Sequence, residues 1–126
     1  MKALAEYKSV LNFPKNAEQI ENIQSFTSLL HGWDSYDAEV VSEKCIQEAV
    51  QTVHDFDSIE VIVQFSVPLR DGGVQLEIEG KTHDAEIEIH PDDKNMYLIY
   101  DKAANLVEKG ALGLDTIQKI KEFVTT

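Results

Sequence analysis

The residues best able to do chemistry lie between positions 75 and 90, where acidic side chains and one histidine alternate with aliphatic residues. A period of two places one set of side chains on a single face of neighbouring strands. That set comprises Gln75, Glu77, Glu79, Asp84, Glu86, Glu88 and His90. Directly opposed side chains on adjacent strands lie about 4.5–5.5 Å apart, and opposed like charges destabilise a sheet. The pattern is consistent with a docking surface for a basic protein, a carboxylate site for a cation, or the ordinary solvated face of a one-sided sheet.

A metal site is the least favoured of these three interpretations. A flat sheet makes a poor cage, because hard cations are usually held by oxygens that converge from a loop. His83, Glu86 and His90 have only a loose ligand spacing, and alternation places His83 on the opposite face from His90. There is no HExxH pattern, and Cys45 has no second cysteine with which to bind zinc. We expect no metal, no cofactor, and a structural or surface role for these histidines.

A second group of polar and aromatic residues forms the segment GWDSYDA at positions 32–38. It contains the only tryptophan, Trp33, together with Asp34, Tyr36 and Asp37. A partly buried aspartate in such a loop could act as a general base or help to bind a ligand. The alternative, which we favour, is that Trp33 fills the junction between helices and sheet while the aspartates close turns.

The sequence carries no recognisable catalytic signature, since GxSxG, P-loop and GxGxxG patterns are absent. Cys45 lies in the first turn of a predicted helix, where the helix N-terminus could lower its pKa. His54 lies too far along the same helix to serve as its base, so His31 or His90 would have to approach from elsewhere in the fold. We therefore expect a core or near-surface thiol at Cys45 and assign no catalytic residue.

The elements that position these residues are predicted to be helical in the first half of the chain. Apolar residues at helical spacing predict one helix over 4–11, ended by Pro14, and another over 16–31, ended at Gly32. Ser42 is a predicted N-cap for a third helix. The residues expected to face the core are Ile20, Ile23, Phe26, Leu29 and Leu30 in the second helix and Ile46, Ala49, Val50 and Val53 in the third.

Alternating apolar residues predict four strands in the second half of the chain. They cover residues 59–67, 74–78, 85–89 and 96–101. Short connections make consecutive strands antiparallel, so the strands form a meander. The expected pairs are Val67 with Val74, Glu79 with Thr82 or with Asp84, and Ile89 with Met96. This register places Phe65 on the buried face and Tyr97 and Ile99 on the polar face.

The stretch 102–113 is left open between two interpretations, because Leu106 and Val107 could lie in a short fifth strand or in a loop. Asp115 and Gln118 predict a capping box that opens a last helix. Its inward residues are expected to be Ile117, Ile120, Phe123 and Val124. The chain is thus predicted to be a single α+β domain over 1–126, with N-terminal helices, a four- or five-stranded antiparallel meander covered on one face, and a C-terminal helix.

Composition and charge restrict the classes of partner. The 126 residues are 43% hydrophobic, which argues against wholesale disorder, and no apolar run is long enough to span a bilayer. The N-terminal residues are too polar for the apolar core of a signal peptide, and a single cysteine favours a reducing compartment, so we expect a cytoplasmic protein. A net charge of −12, from 23 acidic and 11 basic residues, disfavours nucleic acid and favours cationic partners, although solubility alone could explain it.

Three segments together resemble a family of small, largely uncharacterised bacterial proteins. The segments are GWDSYDA at 32–38, DGGVQLE at 71–77 and AEIEI at 85–89, which are similar to the GWDGYGA-like, DGGVQLEW-like and ELEIEI-like motifs of that family. The resemblance covers roughly the middle half of the chain and implies no activity or functional residue. The sequence departs from the pattern at Ile78, where an aromatic residue is frequent, and at Ser35 and Asp37, where glycines are frequent. These departures argue that the loop is scaffolding whose backbone can vary.

These observations favour a non-enzymatic interaction protein whose acidic sheet face docks a basic protein, as an antitoxin, immunity or anti-defence protein would. One alternative is a small enzyme or ligand-binding domain that uses the loop from Trp33 to Asp37. Another is a self-associating subunit, a homo-oligomer in which exposed Tyr97 and Ile99 mark the contact edge. Neither a nucleic acid nor a membrane is an expected partner.

Overall fold

The computed structural model describes residues 14–126, so the predicted helix over 4–11 lies outside the described residues. Helices α1 (Pro14–Ser25) and α2 (Glu43–Ser58) precede a five-stranded sheet, which α3 (Leu114–Thr125) follows. The strands are β1 (Phe65–Pro68), β2 (Val74–Glu79), β3 (His83–Ile89), β4 (Met96–Asp101) and β5 (Leu106–Ala111). All neighbouring pairs are antiparallel and follow sequence order. The predicted α+β class, meander and C-terminal helix are confirmed, and the fifth strand exists.

One hydrophobic core joins the helices to a single face of the sheet. α1 packs on α2 and reaches β1, α2 packs on β2 and β3, and α3 packs on β3. The core includes Ile23 of α1, Phe56 of α2, Leu76 of β2, Ile87 of β3 and Ile120 of α3, each fully buried. Each such side chain contributes about 1.5–3 kcal/mol by leaving water. In residues 14–126, no helix combines the length and the apolar character that crossing a membrane would need.

The boundaries of α1 differ from those predicted. Pro14, expected to end an earlier helix, is the first residue of α1, a position that its fixed φ suits. The α-helix stops at Ser25, a 3-10 turn covers Phe26–Ser28, and Leu30 is 77% exposed. At this end, the hydroxyl groups of Ser25 and Ser28 donate to carbonyls three residues back, contacts that weaken the helical backbone.

The remaining helix starts were predicted with mixed success. Ser42 caps α2 as expected, its hydroxyl accepting the N–H of Cys45 at 3.4 Å. α3 begins two residues earlier than the predicted capping box allows, because Gly113 is the N-cap and the hydroxyl of Thr116 accepts its N–H at 2.8 Å. The capping box of Asp115 and Gln118 was therefore wrong. The inward face of α3 was right, with Ile120 and Val124 buried and Ile117 and Phe123 packed against the core.

The predicted strand over 59–67 is present only as Phe65–Pro68, and its register was wrong by one residue. Val67 pairs with Gln75 rather than with Val74, and Phe65 pairs with Glu77. Val61 and Val63 are buried as expected, but the buried residue that follows is Ser66, so Phe65 is 50% exposed. The alternation slips by one residue between positions 63 and 66.

Polar side chains of α1 cause this slip. The amide of Asn16, fully buried, donates to Val61 O and accepts the N–H of Val63, which holds that segment against α1 instead of in the sheet. Ser66 turns inward because its hydroxyl meets Gln19 Oε1 at 2.6 Å and Asn22 Nδ2 at 2.8 Å. Burying a hydroxyl group costs little free energy when the hydroxyl is hydrogen-bonded. The strand can therefore place this serine inside and an apolar residue on the solvent side.

The second hairpin was predicted correctly in one of its two alternatives. Glu79 pairs with Asp84, not with Thr82, and Leu76 lies opposite Ile87. Strict alternation of apolar and acidic residues excludes a slip of one residue, which would bury every acid, but both predicted pairings keep the acids outside.

The third hairpin is shifted by one residue from the prediction. Met96 pairs with Glu88 rather than with Ile89, and Tyr97 and Ile99 are therefore buried, at 4% and 0% exposure. Tyr97 fits inside because the residue opposite it is Gly110, where an added Cβ would lie 3.0 Å from the tyrosine ring. The self-association edge that these two residues were expected to mark does not exist.

Candidate functional site

All seven side chains predicted from the acidic segment lie on the face of the sheet opposite the helices. We call this group of side chains the acidic face. It consists of alternate residues from Gln75 to Glu79 on β2 and from Asp84 on β3 to His90, which directly follows β3. Its members form three directly opposed pairs across the two strands, namely Gln75 with Glu88, Glu77 with Glu86 and Glu79 with Asp84. The side chains are partly buried, apart from the exposed Glu79. Two of the three pairs oppose carboxylate to carboxylate.

The central pair of the acidic face has no counterion in the part of the chain that the structure describes. Within residues 14–126, the carboxylates of Glu77 and Glu86 make neither a hydrogen bond nor an ion pair, whereas Asp84 meets Lys102 Nζ at 2.6 Å and Glu88 meets His90. Desolvation, and after it the charges of Glu77 and Glu88, raise the pKa of Glu86 above its ordinary value. A positive group close to Glu86 would therefore offset its repulsion by Glu77 and by Glu88 at the same time.

Apolar residues border the acids on both sides, but they are not Tyr97 and Ile99, the residues predicted to lie on this face. On β1, Phe65 and Val67 lie opposite Glu77 and Gln75 and are 50% and 38% exposed. On β4, the neighbours of β3 are Met96, Leu98 and Tyr100, all partly buried. The run MYLIY on β4 is apolar throughout, so alternation could not choose its outer face. Gly110 on the following strand was the one available signal, because it leaves room for Tyr97 on the inside.

A depression of about 480 Å³ lies at one end of the acidic face. Its lining includes Phe65, Glu77, Glu79, Asp84, Glu86 and Tyr100, with Lys102 at the margin. Burial, and after it the charges of Glu86 and Glu88, raise the pKa of the Tyr100 hydroxyl. The depression combines two aromatic side chains with five carboxylates, Asp101 included, a lining suited to a cationic group with an apolar stem.

The loop from Trp33 to Asp37 is built by contacts that use its polar groups. The indole N–H of Trp33 donates to Glu39 O at 3.0 Å. Asp34 Oδ1 accepts the N–H groups of Tyr36 and Ala38, and its other oxygen meets Arg70 Nε at 2.6 Å. Desolvation opposes these contacts, but together they hold the pKa of Asp34 below its ordinary value. An ionised, fully engaged carboxylate is poorly suited to act as a general base.

The outer part of this loop is exposed. Tyr36 is 77% exposed with Arg70 above its ring, and Asp37 is exposed as well. Neither the depression on the acidic face nor a smaller one beside α3 is lined by loop residues. Ser35 adopts a positive φ of 69°, a conformation that glycine takes without steric cost. The loop is a structural connection in this chain.

The cysteine and the histidines do not assemble into a reactive group. Cys45 is fully buried, and burial raises the pKa of its thiol. His83 faces α3, where its ring meets Phe123 edge-on at 5.2 Å, and His90 lies on the acidic face, so the two are separated by the sheet. In the described part of the chain, no three His, Cys, Asp or Glu side chains converge as metal ligands would.

The comparisons with known proteins find no match: no family model, no curated protein and no solved structure is significantly similar to the chain.

Proposed function

We propose that this chain is a non-enzymatic interaction protein that docks a basic protein on its acidic face, in the manner of an antitoxin, an immunity protein or an anti-defence protein. The observation that carries the proposal is the opposed Glu77–Glu86 pair, which has no counterion among residues 14–126 and lies at the centre of a face that the three described helices leave open. Opposed like charges cost a sheet about 0.2–1 kcal/mol. A basic partner would remove that cost on binding.

The apolar margins indicate what the partner presents. Aromatic and aliphatic residues beside charges provide both kinds of contact that protein interfaces use, since buried apolar anchors supply affinity and complementary charge supplies selectivity. The complement of the acidic face is a surface with lysine or arginine at its centre and apolar side chains on either side. Within the depression, a basic side chain would lie between the aromatic rings of Phe65 and Tyr100 and meet several carboxylates.

The charge of the whole chain supports the same kind of partner. At a net charge of −12, the protein attracts cationic surfaces from a distance and repels phosphate backbones. Binding that depends on this attraction weakens as salt rises, because ions screen charges within about 8–10 Å at physiological ionic strength. The interaction is proposed to take place in the cytoplasm, since the one cysteine has no disulfide partner in the chain.

The test compares two variants that each lose two negative charges. Glu77→Gln with Glu86→Gln removes the central pair, and Glu21→Gln with Glu122→Gln removes two exposed acids from α1 and α3. Each tagged protein is expressed in its native cells, and the co-purifying proteins are quantified by mass spectrometry at low and at high salt.

The expected result is a basic protein that wild type and the helix variant retain, and that the face variant loses by tenfold or more. Its recovery should fall steeply with salt. A partner that the two variants retain equally, or one that is acidic or insensitive to salt, would contradict docking on the acidic face.

A further inference from the structure

His90 lies between two carboxylates that come from different parts of the chain. Its Nδ1 is 2.6 Å from Asp71 Oδ2 in the turn between β1 and β2, and its Nε2 is 2.8 Å from Glu88 Oε1 on β3. The side chains of His90 and Glu88 are about one-fifth exposed, whereas that of Asp71 is about half exposed. One imidazole ring therefore connects the acidic face to a surface turn.

Only one protonation state satisfies both contacts. A neutral imidazole has one N–H donor and one lone pair, so it can donate to one carboxylate but presents its lone pair to the other. The imidazolium ion donates from both nitrogens, and a charge-assisted hydrogen bond to a carboxylate is among the strongest that a protein makes. The geometry is that of His90 in its cationic form.

The turn that His90 holds also anchors the Trp33 loop, since Arg70 Nε donates to Asp34 Oδ2 at 2.6 Å, and it binds the segment 39–42 that follows this loop. Asp71 Oδ1 accepts the N–H of Gly73 and so closes the turn. Two backbone carbonyls of the turn also accept hydrogen bonds. Arg70 O accepts the N–H of Glu39 and Gly72 O accepts the N–H of Ser42, both at 2.8 Å. Gly72 has a φ of +92°, and a Cβ there would lie 2.9 Å from Val40 O, so the two segments are in close contact.

We propose that His90 is a protonation-controlled latch. As an imidazolium it fastens the Asp71 turn, and the Trp33 loop that is hydrogen-bonded to that turn, onto β3. As a neutral imidazole it can keep only one of its two carboxylates. The more exposed one, Asp71, is released, and the turn and loop then open more readily.

Other charged or titratable groups lie on the elements around His90. They are Asp71 in the turn, Glu88 on β3, Glu48, Lys44 and the buried thiol Cys45 on α2, and Asp93 in the connection to β4. Lys44 is bonded to Asp93 and lies 3.8 Å from Glu48, so its charge is already shared between two acids. Glu48 reaches His90 only through Asn95, whose amide binds Glu48 and accepts the backbone N–H of His90. The two carboxylates in direct contact therefore govern the ring.

The direction of the pH effect follows from these contacts. Desolvation lowers the pKa of His90, but the hydrogen bonds and charges of Asp71 and Glu88 outweigh it and leave the pKa above its ordinary value. A raised folded-state pKa means that the latch stabilises the fold fully below the unfolded pKa, about 6.5. That contribution is lost as the pH rises through the folded pKa.

The experiment is a proton NMR titration of the histidine rings from about pH 5 to about pH 9, an interval that spans the ordinary histidine pKa. In wild type, His90 is expected to titrate above its ordinary value, and Asp71→Asn and Glu88→Gln are each expected to lower that midpoint. A His90 midpoint at or below the ordinary value, unmoved by either substitution, would overturn the proposal.

Hydrogen exchange measures the release itself. Above the His90 midpoint, the amides of Ser42 and Gly73 should lose protection in wild type beyond the intrinsic tenfold rise per pH unit. In His90→Gln this extra loss should be absent because the latch is open at every pH. His54→Gln, at an exposed histidine on α2, should behave as wild type. Protection at Ser42 and Gly73 that is independent of the His90 state would also overturn the proposal.

Discussion

Two carboxylates show how differently single residues of this acidic chain are used. Asp34 accepts two backbone N–H groups and the Arg70 guanidinium, so it is a structural anion with a lowered pKa. Glu86 has no such partner in the described residues, and its pKa is raised. Asp34 and Glu86 contribute equally to the net charge, but of the two only Glu86 is free to contact a ligand.

Replacing Asp34 by asparagine should therefore destabilise the fold. The amide side chain would lack the charge that holds Arg70, and one acceptor of the original carboxylate would become a donor. A lowered folded-state pKa means that the contribution of Asp34 is present above the unfolded pKa and is lost as the pH falls through the folded pKa. Thermal unfolding from neutral to acidic pH should show a lower Tm for Asp34→Asn than for wild type, with the difference vanishing in acid.

Asp37→Asn is the matched control, because Asp37 is in the same loop and is exposed. It should unfold as wild type does at every pH. Equal losses from the two substitutions would mean that the charge of the loop matters and that the contacts of Asp34 do not.

At the scale of elements, the strand-by-strand outcome shows what alternation can predict. The faces of β2 and β3 were correct because acids and aliphatic residues alternate strictly, so that a slip of one residue would bury charge. β4 was misplaced because all five residues from Met96 to Tyr100 are apolar, and β1 because Ser66 is buried among polar side chains of α1. Those contacts join residues more than 40 positions apart, which a local pattern does not contain.

The same comparison explains how much of the site was predictable. The acidic face came from local alternation and was placed correctly. Its apolar margins on β1 and β4 could not be predicted from local alternation, since they depend on the register of the two strands that were misplaced. The contacts of His90 with Asp71 also depend on tertiary packing, as the two residues are 19 positions apart.

Asn16 is the residue on which the junction between α1 and the sheet depends. Its side chain donates to Val61 O and Asp57 Oδ1 and accepts the N–H of Val63, all in a buried setting. Asn16→Ala would leave Val61 O and the N–H of Val63 without this hydrogen-bond partner and away from water. The cost in free energy of unfolding is about 1–3 kcal/mol for each group. Chemical denaturation should show a loss of stability of about 3 kcal/mol, which is large for a domain of this size.

Asn22→Ala tests the same helix at a less buried contact. Asn22 is exposed and bonds Ser66 O and Oγ, groups that water can reach more easily. Its loss should cost about 1 kcal/mol, the usual net value of a hydrogen bond. If Asn22→Ala proved as damaging as Asn16→Ala, the buried network would not be what fixes the junction.

At the scale of the whole molecule, the helices occupy one face of the sheet and the charge accumulates on the other. This division gives the chain one covered face for stability and one open face that carries a cost. Lys102 and His90 neutralise the two ends of the acidic face, and the centre is left to Glu77 and Glu86. A molecule selected for stability alone would gain by placing neutral residues there.

A double-mutant cycle on Glu77 and Glu86 tests this account most directly. The free energy of unfolding is measured at low salt for wild type, Glu77→Gln, Glu86→Gln and the double variant. Each single substitution should raise stability by about 0.2–1 kcal/mol, the second should add less than the first, and both gains should shrink at high salt. If either single substitution lowers the stability, the carboxylates are already balanced within the fold, and the open acidic face is not held at a cost.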